Sequence, residues 1–398
     1  MEKEVTLKLS KRALSIQESA IRKLSSLVAQ QQDVSFYHLN IGQPDLSTPE
    51  PILKAIQAWS PKVISYGPAS GTRACREAFA KYHGRWQKNL SWADVAVTTG
   101  GSEALLFAFT AICDPGDEIL VPTPFYTNYN GFATVAGASI RPIPTSIKHN
   151  FTLPSNEALD KYTSDKTKAF VFSNPGNPTG AIYDQKEIDR IADWCERNGL
   201  FLISDEVYRR IWFDNPPGTA LCSPNKDAVI VIDSLSKTWS ACGLRLGALI
   251  SRNQDLMGRI ERLGQARLGV QPLAQHAGIA ALNMPESYYE EIRGIWKERV
   301  DCLYDSLNKI PNIKHNKPSG AFYTMVELPV DSAEHFARHL VTNFRSQGES
   351  LVIAPGGGFY VDNKRGKAQI RLAAVLEPQK IKRSAEILGE ALSSYQTD

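Results

Sequence analysis

The chain has 398 residues, 42% hydrophobic and 22% charged, with a net charge of +3. That is enough to bury the core of two domains, or of one large α/β domain with a smaller one, and the near-neutral balance gives no footing for a nucleic-acid partner or a polybasic membrane anchor. Six scattered cysteines without a Cys-x-x-Cys pair argue for reduced thiols and against a disulfide frame or zinc site; Met1–Val5 lack a signal-peptide core and no run approaches the ~18 apolar residues of a membrane span, so a cytoplasmic protein is expected.

In chain order, Ile16, Ala20, Leu24 and Leu27 have helical spacing, predicting a helix from Ile16 to Gln30. Gly42 then lies in a turn, where a glycine can serve positive φ. Ser65 to Thr72 is a Gly/Pro loop containing Tyr66, followed by a helix from Arg73 to Gly84. Asp94–Thr99 reads as a strand, and Gly100-Gly101-Ser102-Glu103 opens an apolar helix from Ala104 to Ile112. A strand, glycines and a helix start together make an anion cradle from free N–H groups, although Ser102 also suits a plain N-cap.

Glu118–Val121 is the next strand and leads into Pro122 to Tyr129, rich in proline and aromatic residues. Ala169–Ser173 is another, ending in Asn174-Pro175-Gly176-Asn177-Pro178-Thr179-Gly180, with Asn177-Pro178 a candidate cis bond. After a helix from Lys186 to Asn198, the strand Gly199–Ser204 enters Asp205-Glu206-Val207-Tyr208. A carboxylate at a buried strand end wants a partner; Asp205 is read as chemical and Glu206 as structural.

The apolar run Ala228–Ile232 reads as a buried strand, and Ser234-Leu235-Ser236-Lys237 follows it, then Gly243-Leu244-Arg245-Leu246-Gly247. An amine placed to attack a carbonyl, beside two hydroxyls and a guanidinium that suit a phosphate dianion, points to pyridoxal 5′-phosphate. Leu244–Ser251 reads as a strand, Arg262–Leu282 follows with Arg267 within it, and Glu290–Leu307 reads as a long amphipathic helix. His335 and His339 share a helix face but lack a third ligand, so a surface pair is the better reading. Ala354–Tyr360, with three glycines, reads as a flexible loop near a substrate entrance. Ala368–Ala373 is a strand carrying Arg371 among apolar residues; a buried arginine needs an anion, either a ligand or an internal salt bridge.

Ser-x-Ser-Lys with the later Gly-x-Arg-x-Gly, and the Asn-Pro-Gly-Asn-Pro-Thr-Gly turn, resemble the motifs of class I/II aminotransferases, the fold-type I enzymes related to bacterial aspartate aminotransferase. The resemblance runs from Gly42 to Arg371. It implies pyridoxal phosphate joined to Lys237 as a Schiff base, Asp205 on the ring nitrogen, and Asn177 and Tyr208 on the 3′-oxygen. It also implies Gly101, Ser102, Ser234, Ser236 and Arg245 at the phosphate, and Tyr126 flat on the ring with Phe125 as the alternative. Gly42 and Arg371 would meet the substrate carboxylate. Tyr66 would reach the cofactor of a partner subunit in a homodimer with shared sites. Arg267, in a region where dicarboxylate-specific relatives carry an arginine, is either a distal-carboxylate contact or a surface helix residue. The implied fold is α/β: residues 49–290 a large domain with a mostly parallel sheet between helices, and 291–398 a smaller α+β domain joined by the segment 1–48. The implied reaction is ping-pong transfer of an amino group from an L-amino acid, with L-aspartate the best guess, to a 2-oxo acid such as 2-oxoglutarate. A lyase or synthase of the same fold, or a non-catalytic cofactor-binding regulator, is the alternative.

Overall fold

The computed structural model describes residues 7–17, 23–225 and 227–395. Its strands in chain order are β1 Ser35–His38, β2 Val95–Thr98, β3 Glu118–Thr123, β4 Ser139–Pro144, β5 Thr167–Ser173, β6 Phe201–Asp205, β7 Val229–Ser234, β8 Gly247–Ile250, β9 Lys314–His315, β10 Tyr323–Glu327, β11 Glu349–Val352, β12 Ala354–Pro355 and β13 Gln369–Ala373. Seven of them form one sheet in the order β2-β8-β7-β6-β5-β3-β4. Every pairing in it is parallel except those of β8, which runs against both β2 and β7.

Both faces of this sheet are buried, which is why its strands read as continuous apolar runs and not as alternating ones. Along β7, Val229 and Val231 pack into one apolar cluster while Ile230 and Ile232 pack into another. Helices Gly100–Ile112, Asn128–Ala136 and Gln254–Arg267 contribute to the second cluster, and helices Arg73–His83 and Gln185–Arg197 to the first. Parallel strands put their C-terminal ends on one edge, so the loops after β3, β5, β6 and β7 emerge together.

A second sheet, β12-β13-β10-β9, is antiparallel, and Met325 of β10 faces Arg371 of β13 in its register. The N-terminal segment joins the C-terminal part of the chain through β1, which pairs in parallel with β11. Helix Glu286–Leu307 packs along helix Pro378–Ser394.

Two expectations fail. Of the helix expected from Ile16 to Gln30, only Ser25–Ala29 is helical among the described residues, Ile16 following a separate short helix at Lys11–Ser15; residues 18–22, Ala20 among them, lie outside the described residues, as does Met1–Val5. Only the Leu24 end meets the core, whereas Ile16 is 47% exposed, and helical spacing without a face to cover does not sustain a helix. Ala354–Tyr360 is not a flexible loop. Ala354–Pro355 pairs with β13, Gly356–Phe359 is a 3₁₀ turn, and Phe359 is fully buried with its carbonyl accepting from Phe125 N–H at 2.9 Å. A Cβ at Gly356 would sit 2.5 Å from the Gln369 carbonyl, so this glycine serves close packing.

Candidate active site

A cavity of about 610 Å³ opens where the C-terminal ends of the large sheet meet β10 and β13. Gly42, Gly101, Ser102, Tyr126, Asn177, Asp205, Tyr208, Ser234, Ser236, Lys237, Arg245 and Arg371, all singled out from the sequence, line it. They come from chain positions 42 to 371, and only the fold brings them together.

At one end is an anion site. Helix Gly100–Ile112 starts at a backbone with φ of +78° at Gly100, where a Cβ would also lie 2.6 Å from an Arg245 guanidinium nitrogen. Ser102 is not the N-cap; that residue is Thr99, whose N–H donates to Glu103 Oε2 at 2.8 Å. Ser102 is therefore inside the first turn, where backbone N–H groups have no intrahelical partner. Opposite it, Ser234 Oγ donates to Ser236 Oγ at 2.9 Å, and Ser236 N–H donates back to Ser234 Oγ at 3.2 Å. Cys242–Leu244 is a 3₁₀ turn, so the strand expected from Leu244 to Ser251 is confined to Gly247–Ile250, and the turn leaves Arg245 at φ 52° with Nη1 on the Cys242 carbonyl. Three hydroxyls, a guanidinium and a helix N-terminus make a dianion cradle.

Lys237 lies between this cradle and Gly42, whose carbonyl accepts from Lys237 Nζ at 2.7 Å. Gly42 is a glycine for space and not for positive φ: a Cβ there would lie 1.7 Å from Tyr323 Oη.

Asp205 ends β6, fully buried. Burial pushes its carboxyl up to about 6, against the pull of the Tyr129 hydroxyl, which donates to Oδ2 at 2.8 Å. Tyr129 was not anticipated from the sequence; its available signal is the Tyr126-x-x-Tyr129 spacing, one helical turn. Tyr126 lines the cavity, and burial pushes its hydroxyl up to about 12, whereas Phe125 is buried away from it. Tyr208 Oη is 2.8 Å from Oη of Tyr323, which also lines the cavity. Glu206 is structural, accepting from Ser204, Thr219, Arg209 and the Ala220 N–H away from the cavity.

At the other end, Arg371 is 1% exposed and has no carboxylate partner among the described residues. Its Nη1 donates to Asn177 Oδ1 at 3.0 Å and its Nη2 to the Asn40 carbonyl, while its buried Nε has no hydrogen-bond partner among the described residues. Tyr323 and Phe359 rings flank the guanidinium at 4.4 and 5.0 Å. No internal salt bridge forms at Arg371 among the described residues, and a buried guanidinium without one suits an anionic ligand.

Two residues lie elsewhere. Tyr66 is 85% exposed and does not line this cavity. Arg267 does not line it either; its Nε pairs with Glu103 Oε1 at 3.0 Å and its side chain is only 21% exposed. His339 stacks edge-on against Tyr395 at 5.1 Å, an ordinary packing contact. The Asn177-Pro178 bond is cis, as are Asn174-Pro175 and Thr123-Pro124.

The sequence profile of the aminotransferases of class I and II matches residues 35–388. The chain belongs to that family. It is similar to the aspartate aminotransferase of Pyrococcus horikoshii, with 30% identity over 96% of this chain and 97% of that protein. A probable N-acetyl-LL-diaminopimelate aminotransferase of Bacillus subtilis is 33% identical over 92% of this chain and 91% of that protein. Among solved structures, an alanine aminotransferase of Pyrococcus furiosus superposes with a TM-score of 0.89 at 31% identity, covering 98% of this chain and 100% of the other. This aminotransferase thus has the fold-type I architecture expected of it and is a pyridoxal-phosphate-dependent transaminase acting on amino acids and 2-oxo acids. No helix among the described residues is long and apolar enough to cross a membrane.

Proposed function

We propose that the chain holds pyridoxal 5′-phosphate through Lys237 and transfers the amino group of an L-amino acid, L-aspartate first among donors, to 2-oxoglutarate by a ping-pong mechanism. The observation that carries this is the buried Arg371, without a carboxylate partner among the described residues, facing Lys237 across one cavity that also holds a cradle for a dianion. The residues present fit the cofactor: Gly101, Ser102, Ser234, Ser236 and Arg245 for its phosphate, Asp205 for its ring nitrogen, Asn177 and Tyr208 for its 3′-oxygen, and Tyr126 for its ring face. When bound, it supplies an electron-accepting ring that stabilises charge on Cα after a proton leaves.

Arg371 binds and orients the α-carboxylate, with Asn177 and the Asn40 carbonyl fixing the plane of the guanidinium. Lys237 Nζ would act as general base towards the Cα proton and then as general acid towards the cofactor carbon on the far side of the amino nitrogen. The Gly42 carbonyl, 2.7 Å from Nζ, orients that amine. Asp205 keeps a negative charge where a cationic ring needs one, and Tyr129 holds its carboxylate in place.

Tyr66 completes the site of a partner subunit in a homodimer, a reading supported by its exposure alongside exposed Val63 and Ile64. Arg267 is a distal-carboxylate candidate only by the same route. L-aspartate is favoured by the aspartate aminotransferases among the relatives. The six free thiols fit a reducing, cytoplasmic setting. A panel of amino acids with 2-oxoglutarate tests the substrate: L-aspartate is expected to give the highest kcat/KM. A neutral donor exceeding it tenfold would overturn that choice while leaving transamination in place.

A further inference from the structure

Behind the cavity, and outside its lining, lies a buried pair that the mechanism does not use. His83 ends helix Arg73–His83 and is fully buried, with Nε2 2.9 Å from Asp233 Oδ2. The His83 Nδ1 has no hydrogen-bond partner among the described residues, so Nε2 is the nitrogen that donates. The other oxygen, Asp233 Oδ1, accepts from Ser234 N–H at 2.7 Å. Asp233 is the penultimate residue of β7, and the lysine turn begins directly after it.

From this arrangement we infer that His83 and Asp233 are positioning residues that set the geometry of the Ser234-Leu235-Ser236-Lys237 turn. Asp233 ties the turn's first N–H with one oxygen and a helix from the other side of the core with the second. Two directional bonds fix the backbone from which the Ser234 and Ser236 hydroxyls and the Lys237 amine all project. The same helix grips the far side of the lysine: Tyr82, the neighbour of His83, packs its ring 5.4 Å from that of Trp239. A third anchor comes from helix Glu286–Leu307, where Tyr288 Oη donates to the Thr238 carbonyl at 2.7 Å. The lysine is thus bracketed by consecutive residues of one helix, His83 before it and Tyr82 after it.

An apolar pair would fill this space without the cost of burying a carboxylate. What an apolar pair cannot do is accept the Ser234 N–H and a second donor at once. Asp233 also acts at a distance as a like-charged neighbour of Asp205.

The inference rests on Lys237 and the two serines being the cofactor anchors, and its test separates the two claims. The cofactor-free full chain is titrated with pyridoxal 5′-phosphate, and kcat and KM are measured on the reconstituted enzyme. His83→Leu removes the donor; a charge-assisted bond of ordinary strength corresponds to a dissociation constant raised roughly 10-fold or more. The kcat should fall with it while the amino-acid KM, set at Arg371, stays put. His83→Gln, which keeps an N–H for Asp233, should restore binding to within about threefold. Should His83→Leu not fold, Asp233→Leu serves instead, since it keeps the volume and removes the acceptors of both the Ser234 N–H and the His83 N–H. It too should weaken cofactor binding with KM unchanged. A melting temperature that falls in these variants while cofactor affinity and kcat stay at wild-type values would overturn the inference, making the pair structural only. A wild-type chain that binds no pyridoxal phosphate would instead overturn the proposed function, and this inference with it.

Discussion

Asp205 gives a prediction that the free chain can be made to show. Its carboxyl stands at about 6 in the folded chain against 3.8 for the ordinary group, with burial the main cause. Between those two values the folded state holds a proton that the unfolded chain has released. Stability therefore falls as pH rises through that window, is greatest below about 4, and has lost this contribution above about 6. A difference of about two pH units is worth roughly 3 kcal/mol at ~1.4 kcal/mol each. The perturbation is Asp205→Asn, which removes the titration and keeps the shape. Urea unfolding of the cofactor-free chain between pH 4 and 7 should show the wild type losing about 3 kcal/mol relative to the variant. With pyridoxal phosphate bound, a cationic ring nitrogen beside Asp205 favours its charged form, and the difference should flatten. A wild-type-minus-variant difference that is constant across pH 4–7 would refute the claim that Asp205 is a carboxylate held ready for a cation it lacks in the free chain.

Other substitutions separate function from stability. Arg371→Leu removes a buried cation with no carboxylate partner, so the free chain should melt higher, while kcat/KM for amino acids falls about 10²- to 10³-fold through loss of a bidentate, charge-assisted contact; differential scanning calorimetry and steady-state kinetics check the two halves. Tyr129→Phe takes away one donor to Asp205 at 2.8 Å and should weaken cofactor binding by about 1 kcal/mol, roughly fivefold, with KM for the amino acid unchanged. Gly42→Ala places a methyl 1.7 Å from Tyr323 Oη and 2.4 Å from its Cζ, and should cut kcat/KM sharply; Tyr323→Phe should not rescue it, because the ring carbon still lies inside contact distance.

Local chemistry made much of the site readable. Ser234 to Lys237, the Asn174–Gly180 turn and Arg371 announce themselves because an amine, paired asparagine-prolines and a lone arginine in apolar strand are poor choices for packing alone. The seven-stranded sheet was legible for a related reason: strands covered on both faces are apolar throughout. Contacts between residues far apart in sequence were not legible. Tyr129 and Asp205 are 76 positions apart, Tyr208 and Tyr323 are 115, and His83 and Asp233 are 150. Each is an ordinary residue in its own element and acquires a role only from what folding sets against it. Ala354–Tyr360 shows the converse, because glycines that permit close packing look in sequence like glycines that permit motion.

The most direct test is the absorbance spectrum of the reconstituted enzyme as amino acids are added singly, with no 2-oxo acid present. The account predicts that L-aspartate or L-glutamate converts the cofactor's spectrum to that of its aminated form, that 2-oxoglutarate restores it, and that Lys237→Ala does neither. A spectrum that no amino acid changes, or a Lys237→Ala variant that still completes the cycle, would contradict it.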